Sequence, residues 1–150
     1  RGELRYAVCG MQPPEDSLLW SDMHRRTESF LVAADSGYEK ISAAVKELLG
    51  LGRGLTPACD DWLVGYMYAA RRIGKTEACA AVSEAVLEYA GEYTNGISAA
   101  YLRAAARGEY YELLEGCLFG ENSESIARLL SIGSSSGSDM LSGMLAVCSG

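Results

Sequence analysis

The densest run of chemistry-bearing residues is Gly50-Leu51-Gly52-Arg53-Gly54-Leu55-Thr56-Pro57-Ala58-Cys59-Asp60-Asp61. Glycines at alternate positions let successive backbone N–H groups turn toward one point. The helix expected to follow adds its own unpaired N–H groups and the positive end of its dipole. Gly52, Arg53, Gly54 and Thr56 are therefore expected to hold a small anion, a phosphate or a carboxylate. The run is not a P-loop, because the Gly-Lys-Ser/Thr ending is missing, and no strand precedes it as a dinucleotide fingerprint requires. The alternative is a helix linker with Asp60 as a plain N-cap. Asp60, Asp61 and Asp139 are the catalytic candidates, as carboxylates that accept hydrogen bonds from an amide or place a cation. Such an oxygen set suits Mg²⁺. Neighbouring helical residues point about 100° apart, however, so the expectation is one cap and one functional aspartate, with no metal site and no cofactor.

Two further runs could face the same ligand. Thr94-Asn95-Gly96-Ile97-Ser98 precedes Arg103 and Arg107, which stand one turn apart. Ser98 and Arg103 are candidate ligand contacts; the alternative is an N-cap followed by an ion-paired surface. Gly133-Ser134-Ser135-Ser136-Gly137-Ser138-Asp139 offers Ser135 and Ser136 as the wall of a second helix-N-terminus pocket, or else a flexible linker. The single histidine, His24, is expected at the surface or in the core, so no Ser-His-Asp or Cys-His pair is argued. Cys59 at a helix start rests on position alone and is not assigned a nucleophilic role.

Apolar residues at helical spacing position these runs. Helices are expected over 15–34 (from Glu15-Asp16-Ser17 as cap), 38–49, 60–73, 76–90 (capped by Thr76), 95–107 (stopping at Gly108), 109–118, 123–131 and 139–148. The fold class is all-α, with seven or eight short helices and a short N-terminal strand at weakly alternating residues 3–9. Gly65 and Gly143 fall inside expected helices, where glycine costs about 1 kcal/mol relative to alanine; close packing is the usual reason. They also expose an internal echo. Ala58 to Gly65 lies over Ser136 to Gly143, matching Asp61 with Asp139, Leu63 with Leu141 and Gly65 with Gly143, each copy after a small-polar loop.

Composition bounds the function. The chain has 150 residues, 49% hydrophobic and 22% charged, with net charge −7. That balance argues against a nucleic-acid binder and against an anionic membrane surface, while leaving room for a local cationic pocket. No apolar run is long enough to span a membrane. The five cysteines are odd in number and contain no CxxC pair, which suggests reduced, mostly core thiols and a cytoplasmic protein.

The motifs carry a resemblance. Leu49 to Gly65 resembles the "GLGPGLTPSGDDFLAG" signature of a bacterial domain-of-unknown-function family that includes AllH, a subunit of oxamate carbamoyltransferase. Ile97 to Gly108 is similar to its second stretch, and Gly133 to Gly143 to its closing "G-x-S-S-G-x-D-x-L-x-G". Ala58-Cys59 stands where the family has Ser-Gly, and Arg53 where it has proline. The resemblance implies that 1–150 is a single helical domain, the C-terminal part of a longer protein. It also implies a carbamoyltransferase-related subunit that binds carbamoyl phosphate and a small carboxylate such as oxamate, with partner subunits or as a homo-oligomer. The alternatives are a non-catalytic interaction subunit, with Trp62, Tyr66, Tyr110 and Tyr111 as anchors, and a metabolic protein with a different anionic ligand. An enzyme pocket should gather Arg53, Arg103 or Arg107 around the glycine-rich loop; an interface subunit should disperse them and expose an apolar patch.

Overall fold

Apolar side chains three and four residues apart can be buried only if helices pack on one another. The computed structural model, which describes residues 18–119 and 123–149, does this with eight helices and no strand among those residues. They are α1 (Leu18–Ala33), α2 (Tyr38–Leu48), α3 (Ala58–Arg72), α4 (Thr76–Tyr93), α5 (Gly96–Ala106), α6 (Glu112–Phe119), α7 (Ser123–Leu130) and α8 (Ser136–Cys148). The expected strand at 3–9, the cap at 15–17 and Cys9 lie outside the described residues. No helix among the described residues is long and apolar enough to cross a membrane.

The central element is α3. Every residue from Ala58 to Ala70 is buried, so this helix has no solvent face in that span. It packs on α4, α5, α6 and, most intimately, α8. Trp62 and Tyr66 stack on each other at 5.6 Å and take Phe30 of α1 edge-on, at 5.3 and 4.8 Å. These two aromatics are core, while Tyr110 is half-buried and Tyr111 exposed. Around the periphery, Arg26 of α1 pairs with Glu47 of α2 at 2.8 Å and Arg72 of α3 with Glu115 of α6 at 2.5 Å. Exposed pairs of this kind contribute only tenths of a kcal/mol, so packing carries the fold. Cys59 and Cys79 are buried, Cys117 is half-buried and Cys148 is exposed, all as free thiols.

The internal echo is real in space. Both copies begin helices at equivalent residues, Ala58 and Ser136, two or three residues before the aspartates where the sequence places the starts. The cause is capping geometry. Pro57 and Ser135 occupy the cap positions without a side-chain cap bond, and the aspartates sit inside the first turn with other partners. Thr76 likewise is the first residue of α4 rather than its cap, a position held by Lys75. The two helix-interior glycines meet across α3 and α8. A Cβ on Gly65 would run into the carbonyl of Met140, and one on Gly143 into the carbonyl of Trp62. Met140 and Trp62 are themselves equivalent in the overlay, so the contact is reciprocal.

Because the clashing atoms are backbone, they cannot swing aside. Gly65→Ala and Gly143→Ala are each expected to destabilise the protein by about 3 kcal/mol or more, above the usual cost of overpacking. Gly96→Ala, which meets nothing within 4 Å, should change stability by less than about 1 kcal/mol. Urea unfolding of the three variants checks the contrast.

Candidate functional site

The loop between α2 and α3 is shaped by glycines at positive φ: Gly50 (78°), Gly52 (128°) and Gly54 (93°). At Gly50 and Gly52 a side chain is also excluded by space, since a Cβ would strike the carbonyl of Tyr93 in the first case and the N–H of Ala58 in the second. The loop therefore folds back over the first turn of α3, where the Cys59 N–H donates to the Leu51 carbonyl at 3.0 Å. The N–H groups of Gly52, Arg53 and Gly54 donate to no backbone carbonyl among the described residues. Arg53, Gly54 and Leu55 are exposed.

Asp60 and Asp61 turn away from each other, as adjacent helical residues must. Asp60 is 1% exposed and is not the cap of its own helix. Its carboxylate accepts the Gly50 N–H at 2.8 Å, the Thr94 hydroxyl at 2.5 Å and the Ser98 hydroxyl at 2.6 Å. Burial raises its pKa, and these three donors oppose the rise. One carboxylate thus ties the loop to the α4–α5 junction. Asn95 adds a second tie: it caps α5 by accepting the Ser98 N–H at 2.9 Å and donates to the Leu55 carbonyl at 2.8 Å.

Asp61 faces α8. It accepts the Thr56 hydroxyl at 2.9 Å and is hydrogen-bonded by Ser136, while Thr56 and Ser136 lie 3.0 Å apart. Burial pushes its pKa up to about 6, with the hydroxyls pulling down and the Asp60 charge adding a smaller upward push. Burial therefore makes Asp61 a better proton acceptor than an ordinary carboxylate. Asp139, its equivalent, is fully buried in the first turn of α8, and its N–H donates to the Ser135 carbonyl at 3.0 Å. Ser135 is half-buried, and its carbonyl also accepts the Ser138 hydroxyl at 2.8 Å.

The structure thus brings Gly52, Thr56, Asp60, Asp61, Ser98 and Ser136 into one neighbourhood, with Arg53 and Gly54 on its exposed rim. Arg103 lies instead against Gly91 of α4, and Arg107 is the exposed C-cap of α5. Cys59 is fully buried, and burial together with the charges of Asp60 and Asp139 pushes its thiol far up. His24 stacks on Trp20 at 5.2 Å within α1. Among the described residues no three His, Cys, Asp or Glu side chains converge as an ion's ligands. Two participants escape sequence reasoning. Thr94 reads as a cap yet serves Asp60 on another helix. Tyr111 reads from the sequence only as an apolar anchor, yet its hydroxyl is pushed up to about 12 by burial, a hydrogen bond with Tyr101 and, more weakly, the Asp61 charge.

Against known proteins, the model of the family described as oxamate carbamoyltransferase subunit AllH matches residues 48–148. No solved structure matches the chain.

Two variants separate the aspartates. Asp60→Ala leaves three donors unpaired, the Ser98 hydroxyl buried and the other two half-buried, and should cost about 3 kcal/mol in urea unfolding. The pKa of Asp61 is higher folded (about 6) than at its ordinary value of 3.8, so the folded state binds the proton more tightly. Its contribution is most favourable below pH 4 and is lost as pH rises to 6, by up to about 3 kcal/mol. Asp61→Asn should flatten the stability profile in that window; parallel wild-type and variant profiles would contradict the assignment.

Proposed function

The chain belongs to the AllH family, that of an oxamate carbamoyltransferase subunit, and we propose that it is a carbamoyltransferase subunit presenting a site for a small anion beside Asp61. The observation that carries this reading is the pairing of two unlike surfaces. The loop N–H groups of Gly52, Arg53 and Gly54 donate to no backbone carbonyl among the described residues, and Arg53 adds an exposed cation among them. Next to them, Asp61 sits with Thr56 and Ser136. Phosphate bound to the first and an amide N–H held by the second is the arrangement that carbamoyl phosphate and oxamate need.

In such a transfer, the acceptor nitrogen attacks the carbamoyl carbon, the carbon–oxygen bond to phosphate breaks, and phosphate leaves with the electron pair. The loop N–H groups and Arg53 stabilise the leaving charge, and Asp61 takes the proton shed by nitrogen. Thr56 and Ser136 fix the carboxylate. Half-buried Ser135 stands on the opposing side, with the fully buried Asp139 behind it and out of the ligand's reach. Asp60 and Ser98 act as positioning residues that hold the loop in place. No metal or cofactor is invoked.

A second reading has its own observation. Arg103 and Arg107 stand away from the loop, and Leu55 (73% exposed) and Ile97 (52% exposed) put an apolar rim beside it. A subunit that completes its site only against a partner would look like this.

Melting of the chain in concentration series of carbamoyl phosphate, oxamate and phosphate separates the two. A native-state ligand at a hundredfold excess over its Kd adds about 2.7 kcal/mol. A saturable rise with carbamoyl phosphate, lost in Arg53→Ala and in Thr56→Ala, supports the site as proposed. No response from any ligand assigns the chain to the partner-dependent reading.

A further inference from the structure

One turn along α3 from Asp61, a cleft of about 200 Å³ opens against the C-terminal half of α5. Its walls are Val64 and Ala104 on the apolar side, Tyr101, Tyr110 and Tyr111, and Glu109. Tyr101 and Tyr111 hold their rings 5.9 Å apart and tilted by 34°. Tyr110 is fixed from behind: it meets Tyr68 edge-on at 5.0 Å, and its hydroxyl accepts from Arg71 Nε at 3.3 Å. Arg71 is further committed to the Ala106 carbonyl at 3.1 Å. Among the described residues Glu109 makes no ion pair.

We propose that this cleft binds a guanidinium group, at a site separate from the anion loop and independent of the carbamoyl-transfer reading. Ring faces carry the negative part of the aromatic quadrupole and attract a cation laid over them. A guanidinium is planar, stacks on such faces, and offers a fork of donors to one carboxylate. An ammonium is compact and strongly hydrated, so walls such as Val64 and Ala104 disfavour it. A neutral planar group would leave Glu109 unused, and an anion would face Glu109 and the Asp61 charge that reaches Tyr111. Size agrees, because the cleft is smaller than the pockets of about 300 Å³ upward that enclose drug-sized ligands and suits a side-chain-sized group. The group's source is either a free guanidino compound or an arginine side chain of another protein.

The test is titration of the chain with ethylguanidinium chloride, followed by the ring resonances of Tyr101 and Tyr111. Ethylammonium chloride and ethylurea serve as the charged non-planar and planar neutral controls. Saturable binding with Kd on the order of 1 mM is expected for ethylguanidinium, about tenfold tighter than for either control. Glu109→Gln should weaken it about fivefold, and Tyr101→Leu about tenfold. Both positions are exposed, so neither variant should disturb folding, which circular dichroism checks. The proposal fails if ethylguanidinium does not saturate, if ethylurea binds equally well, or if both variants bind like wild type. A blocked tripeptide with a central arginine separates the sources. Tighter binding than ethylguanidinium identifies an arginine of a partner, and exclusion of the peptide identifies a free guanidino compound.

Discussion

The backbone-on-backbone contact between α3 and α8 is the constraint from which the rest of the arrangement follows. Side chains normally hold helices 8–10 Å apart. Gly65 and Gly143 remove that spacer at reciprocal points, so each helix lets the other's carbonyl in. The approach brings together the turns at which both helices begin, and only then can Thr56, at the mouth of one, reach Ser136, at the mouth of the other. The glycines cost helix propensity at two interior positions. What they provide is a polar junction buried between two helix starts, which larger residues would push apart.

A junction of this kind has to manage buried carboxylates, and the three aspartates do so differently. Asp60 is answered by one backbone and two hydroxyl donors from three segments, so it works as a fastener. Removing its partners would expose a buried charge, whereas keeping them fixes the loop against the α4–α5 junction. Asp61 is answered by two hydroxyls of limited donating capacity, Thr56 and Ser136, which also face each other. Two hydroxyls carry two protons among three mutual contacts, so the deprotonated cluster is one donor short. A proton on Asp61 supplies the missing donor, which fits the upward push that burial gives it. A ligand N–H would meet the same shortage. Asp139 lies deeper, in the first turn of α8, where the helix dipole favours negative charge.

Helical spacing made nearly the whole architecture legible, because amphipathic stripes such as Ile41, Val45 and Leu48 report burial directly. The glycine echo was legible for the same reason: a residue that costs propensity inside a stripe must be compensated by packing. Helix starts were misjudged by two or three residues at α3, α6 and α8. Aspartate is a favoured cap, and nothing local reveals that Asp60 is claimed by Gly50, Thr94 and Ser98 from other segments. The arginines show the other limit. Arg103 and Arg107 share one helical face with each other, but whether that face looks at the loop or at α4 depends on how α5 sits, and Gly91 leaves the space into which Arg103 settles. Tyr111 was legible only as an anchor, because Tyr101 and Asp61 approach it from α5 and α3, distant in sequence.

The acidic balance of the chain sharpens what any anion site here must be. A net charge of −7 gives no long-range steering for phosphate, and the fully buried Asp139 and nearly buried Asp60 and Asp61 add negative potential at the junction itself. Attraction has to come from groups touching the ligand. Open N–H groups on a glycine loop meet that requirement, because they act at hydrogen-bond range and are outcompeted by neither salt nor distant charge. Arg53, exposed on the rim, is the only cation among Gly52, Arg53 and Gly54. The loop's exposed rim then has a consequence for assembly. Water competes for Arg53 and the open N–H groups as long as the rim faces solvent, and a second protein seated on Leu55 and Ile97 would exclude it, strengthening each contact in the lower dielectric it creates.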